Sequence, residues 1–216
     1  MVQTFSEDNR TRRWHRWLIS AGFAALAAPL GIVLHELGHY LTWRAFGFPD
    51  VVLHSASVST RNGEIFWQFI RANDFAAAAD VYPLAQVALG SAMGPLVSAV
   101  LTVMCCLIAW RKPHPFVVSL GLFSPLQFTA GLIYLPVSFF LKLERANFDE
   151  LNVARLMNIP VEIFILLGAF LLIGGVFWLL RCIPKGNRLF AVSAIVVGVI
   201  VGLGIYFRLL APALFD

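Results

Sequence analysis

The sequence predicts an all-α polytopic membrane protein of about five transmembrane helices, with a short β-hairpin between helices one and two. Three observations carry this. Of 216 residues, 59% are hydrophobic and 13% charged, about half the charged share of a soluble domain. The mean hydropathy is +0.80, so lipid is the solvent for much of the surface. Five long apolar runs also recur along the chain.

The first run, Trp17–Trp43, follows Arg10, Arg12, Arg13 and Arg16. It is too long for a signal peptide's apolar core and reads as a retained helix. The second is Val81–Trp110, the third Phe116–Leu141, the fourth about Ile159–Leu180, and the fifth Leu189–Leu210. Each supplies roughly the 20 residues a bilayer crossing needs. Between the first two runs, Val51–Ser59 and Glu64–Ile70 are short and β-prone, with Arg61-Asn62-Gly63 as a turn signal. That predicts a hairpin.

The basic residues set an expected topology. With five crossings, the N-terminal arginines, Arg111-Lys112, and Arg181, Lys185 and Arg188 fall on one side. The hairpin and the polar stretch Lys142–Asn158 fall on the other. The N-terminus is then cytoplasmic and the C-terminus external. The net charge of +4 comes from such flanks, and no Arg- or Lys-rich block of the nucleic-acid-binding kind is present. Three cysteines without a Cys-x-x-Cys pair argue against a disulfide framework or a cysteine metal site.

The first run contains His35-Glu36-Leu37-Gly38-His39. Residues i and i+4 share a helical face, so His35 and His39 can reach one metal ion. Two imidazoles suit zinc, and a hydrolytic zinc site keeps a position open for water. Glu36, beside the first ligand, is placed to take that water's proton and return it to a leaving amine. A carboxylate and two histidines in a membrane helix are costly and functional by default.

A third ligand is required. Candidate acids are Asp50, Glu64, Asp74, Asp80, Glu144, Asp149 and Glu150. Asp149 is favoured, then Glu150, because Asn147–Asn152 reads as a helix start on the side of the histidine-bearing end. Both acids also complement a helix N-terminus. Asn152 orients a ligand or is simply solvated. Gly94-Pro95 in the second helix marks a kink or ordinary membrane-helix packing. Gly38 lets a backbone approach, Gln127 makes an interhelical hydrogen bond, and His54, His15 and His114 are ordinary polar residues.

His35-Glu36-Leu37-Gly38-His39-Tyr40 resembles the signature of the site-2 protease family of intramembrane zinc metalloproteases. Gly94-Pro95-Leu96 resembles that family's Gly-Pro motif, and Asp149 its third ligand. Ser98 stands where the family often has Asn, and Glu150 where it usually has Gly. The resemblance covers roughly residues 17–165 and includes no PDZ-like insertion; residues 166–216 are then accessory helices around a single membrane domain, 1–216. It implies a zinc endopeptidase with Zn2+ on His35, His39 and Asp149, and Glu36 as general base. Gly94, Pro95, Ser98 and Asn152 are expected near substrate or behind the ligands. The expected substrates are membrane-spanning or membrane-adjacent proteins, and the expected location is a prokaryotic cell membrane. A sheet beside the site would pair with an extended peptide. The rival expectation is a metal-binding transporter or non-proteolytic scaffold using the same histidines.

Overall fold

The computed structural model describes residues 3–128 and 148–215, with side chains from Arg13 onward. Among them the chain is almost wholly helical. Helix α1 is Gln3–Ala45. Two two-residue strands follow, β1 (Val52–Leu53) and β2 (Val58–Ser59). Two short helices come next, α2 (Gly63–Arg71) and α3 (Phe75–Val81). The remainder is α4 (Leu84–Arg111), α5 (Pro115–Phe128), α6 (Asp149–Met157), α7 (Val161–Cys182) and α8 (Arg188–Ile205). α8 runs on through a π turn, Tyr206–Leu210, into α9 (Ala211–Phe215).

Among the described residues, four helical stretches are long and apolar enough to cross a bilayer: Arg13–Ala45, Leu84–Arg111, Val161–Cys182 and Lys185–Phe215. Their outward faces fit lipid. On α7, Leu166, Phe170, Ile173 and Phe177 form an exposed apolar stripe, with Phe170 80% exposed. In water such a stripe would drive association. These features fit a multi-pass membrane protein. The third apolar run is described as a helix to Phe128; its remainder to Leu141, together with Glu144, lies outside the described residues.

A hairpin lies between the first two long helices, but all of it falls within Val51–Ser59, the predicted first strand, and its turn is not Arg61-Asn62-Gly63. β1 and β2 pair antiparallel, Val52 with Ser59 and Leu53 with Val58, and the turn is His54–Ser57, closed by His54 N–H donating to Ser57 O at 2.8 Å. Glu64–Ile70 is helix α2, not a strand. The reason is its spacing: Phe66 and Ile70 are one helical turn apart and both bury against Phe48 and Tyr82. Gly63 accordingly opens a helix instead of closing a hairpin.

Two helix contacts set the frame. α1 and α4 are antiparallel and meet in steps of four: Trp43 at Gly90, His39 at Gly94, His35 at Ser98. α1 and α8 run parallel, with Gly198 against Ala21 O and Gly202 against Ala25 O. Small residues allow this backbone-to-backbone approach, which in lipid replaces hydrophobic driving force. The parallel pair places the start of α1 and the end of α8 at opposite ends of the bundle.

The bundle is tryptophan-rich at one end. Trp17 Nε1–H donates to Ser193 Oγ at 3.1 Å, Trp14 contacts Phe190, and Trp110 lies 4.8 Å from Trp178 between ring centroids. Arg13 and Arg181 cover Phe190 and Phe177 at this same end, which groups basic residues as the charge pattern predicts. Such aromatic belts mark a membrane–water boundary. At the other end, the hairpin, α2 and α3 cap the histidine-bearing part of α1, with Phe48 stacked on Tyr82 at 4.4 Å.

Candidate metal centre

His35 and His39 occupy successive turns of α1 and are 5% and 4% exposed. Asp149 is the first residue of α6. His35 Nε2 is 3.1 Å from Asp149 Oδ2, His39 Nε2 is also 3.1 Å from it, and the two Nε2 atoms are 3.3 Å apart. The structure therefore brings the favoured third residue to both histidines. These three residues form a group able to hold a metal ion.

The far sides of the rings explain why the near sides need a cation. His39 Nδ1–H donates to the carbonyl of Gly90 at 2.8 Å. A carbonyl only accepts, so Nδ1 carries a proton, and in the neutral ring Nε2 then presents a lone pair. His35 Nδ1 lies 2.9 Å from Ser98 Oγ, and the same orientation follows when Nδ1–H donates to that hydroxyl. Two imidazole lone pairs and a carboxylate oxygen then face one another. Acceptors this close repel unless a proton or a metal ion lies between them. Partners of this sort behind metal-binding imidazoles fix tautomer and ring orientation.

Asp149 keeps 31% of its side-chain surface open, and that surface faces a cavity of about 320 Å3. Burial pushes its carboxyl up, but His39 and His35 together pull it the other way, well below the usual carboxylate range. Glu36 is 9% exposed and lines the same cavity as His35, His39 and Asp149. The cavity also takes in Ala56, Ser57 and Val58 from the hairpin, and Asn152 from α6.

Gly94 lies behind the two imidazoles. A Cβ at Gly94 would collide with His39 Nε2 and stand 2.7 Å from His35 Nε2. Gly94 is thus the gap into which the imidazoles fit, while buried Pro95 continues α4. Gly38 does the reciprocal job, since a Cβ there would meet Met93 O at 2.8 Å. Ser98 is fully buried and touches His35, not the cavity.

Glu150 is not in the triad. It is 4% exposed, lines the cavity, and has Oε1 buried without a hydrogen-bond partner among the described residues. Burial first, and Asp149 beside it, push its carboxyl from 4.5 to about 8. Gln127 departs from expectation too: its Nε2 is buried without a partner among the described residues, and the residue lines the cavity. The expected interhelical hydrogen bond fails because the amide Nε2 lies by Gly31, 3.3 Å from where a Cβ would stand, and glycine offers no side chain to receive it. Trp43, with Nε1 likewise unpartnered, completes this set on the cavity wall. No motif marks Trp43; only the pairing of helices reveals it, while Gln127 stands out in the sequence as a polar residue in an apolar run. His54 bonds Ser59 Oγ at 2.8 Å on the surface, as an ordinary polar residue.

No family model, curated protein or solved structure matches this chain.

Proposed function

We propose that this chain is an intramembrane zinc metalloprotease of the site-2 type. The observation that carries the reading is the convergence of His35 Nε2, His39 Nε2 and Asp149 Oδ2 at 3.1–3.3 Å, with Glu36 in the same cavity. Ligands at 2.0–2.1 Å around tetrahedral zinc are separated by about 3.3 Å. The triangle fits that edge, and two imidazoles with one carboxylate are a donor set of hydrolytic zinc sites.

Zinc, when bound, supplies Lewis acidity that makes water a nucleophile near neutral pH. Glu36 accepts the proton of the attacking water and delivers it to the leaving amine. Ser98 and the Gly90 carbonyl hold the imidazoles in their ligating tautomer. The hairpin segment 56–58 forms a wall along which an extended peptide can pair. Gln127 and Trp43 offer donors, and Glu150 an acceptor, to a ligand that presents both C=O and N–H groups. A peptide backbone does so. The setting among long apolar helices favours membrane-spanning or membrane-adjacent polypeptides as substrates.

The test is metal content and cleavage in detergent-purified protein. Wild type should hold one zinc and cleave fluorescein-labelled casein or single-span model helices in liposomes. His39→Ala and Asp149→Ala should lose metal; Glu36→Gln should keep it and lose cleavage. Folded wild type that takes up no zinc on reconstitution removes the reading. Zinc with full cleavage by Glu36→Gln removes the mechanism.

A further inference from the structure

Tyr206 ties the last helix to the cavity wall. It is 2% exposed, and its hydroxyl donates to the backbone carbonyl of Ser55 at 2.6 Å. Ser55 sits in the hairpin turn, and the next three residues, Ala56, Ser57 and Val58, line the metal cavity. The tyrosine belongs to the same packed cluster as Ala28, Ile32, Phe123 and Ala211. Ile32 is itself on the cavity wall, one turn before Glu36. One residue thus joins α8, the catalytic face of α1 and the hairpin.

Two further facts give this contact weight. The hairpin has only two residue pairs, too few to be stable on its own, so its position depends on what holds it from outside. Tyr206 also begins the π turn that interrupts the last helix. Such turns are rare and are frequently found at functional sites.

We propose that Tyr206 is a positioning residue for substrate. Its hydroxyl fixes the hairpin turn, and segment 56–58 is thereby held at the distance and tilt from the metal ligands that an extended peptide requires. The proposal rests on the metalloprotease reading. It assigns to the last helix control of peptide binding, not of the chemical step.

Tyr206→Phe tests this in the full-length zinc-loaded protein in micelles, because the ring packing stays and only the hydroxyl goes. Amide hydrogen exchange across residues 52–59 should quicken about tenfold, the scale of one lost hydrogen bond. Zinc content and exchange elsewhere should not change. With fluorescein-labelled casein, KM should rise about three- to tenfold while kcat stays within about twofold. A hydroxyl that merely satisfies a carbonyl would quicken exchange and leave KM alone, which overturns the proposal. Unchanged exchange overturns it whatever the kinetics. Wild type that cleaves nothing ends the protease reading and the substrate role with it, and the exchange data separate that outcome from failure of the tether.

Discussion

Gly94 faces the imidazole of His39 with no room for a methyl group between them. The α1–α4 pair is close because glycine stands where the ligand rings cross. Gly94→Ala must therefore push both histidines off their positions. Zinc affinity is expected to fall about a hundredfold or more, the upper range for disturbed ligand orientation. Gly22→Ala, where a Cβ meets open space, should leave it unchanged. Competition with a zinc chelator measures both.

Ser98 stands behind His35 at 2.9 Å and is fully buried. Ser98→Ala removes the Nδ1 partner without touching a ligand. Zinc affinity should drop about 10–100-fold, and Ser98→Asn should restore part of it if the amide oxygen reaches Nδ1. A variant with unaltered affinity would show that packing alone orients the ring.

Gln127 is a buried donor without a partner among the described residues. Leaving such a group unpaired costs about 1–3 kcal/mol. Gln127→Leu should accordingly raise the melting temperature by about 2–12 °C while raising KM for casein. Stability and substrate affinity moving in opposite directions would mark a residue kept for binding. A fall in both would instead indicate an ordinary packing role.

Zinc competes with protons for His35 and His39, whose imidazoles must be neutral to ligate. Metal occupancy at limiting zinc should therefore fall on acidification and return on neutralisation. Metal content after dialysis at stepped pH checks the sign.

Glu150 carries a carboxyl raised by burial to about 8 from 4.5. A folded-state value above the unfolded one means that the folded form holds the proton more tightly. Stability of the metal-free protein is then greatest below about pH 4.5 and is lost as pH rises to about 8. Glu150→Gln should flatten this dependence and raise the melting temperature at pH 8 by about 4 °C or more. Equal pH slopes in the two proteins would rule this out.

Much of the site was legible because helical periodicity acts locally. His35 and His39 are one turn apart, so their common face follows from sequence alone. Asp149 lies more than a hundred residues away; a helix-start pattern and a family likeness pointed to it, and only the fold places it at 3.1 Å. Glu64–Ile70 misled because its apolar residues suit strand propensity, while the one-turn spacing of Phe66 and Ile70 decided for helix. Gly90 and Trp43 carry no local signal. Their roles exist only in the register between helices, which a single chain of letters does not display.

The tryptophan belt has a consequence for depth. From Trp17 to His35 is 18 residues of continuous helix, about 27 Å, against a hydrocarbon core of about 30 Å. With its aromatic end anchored in one leaflet, the histidine pair is carried to the border of the other. A bilayer a few ångströms thicker draws the cavity mouth down among acyl chains; a thinner one lifts it to headgroup water. Lipid chain length is thereby expected to set how far water reaches the triad, independently of any residue of the site.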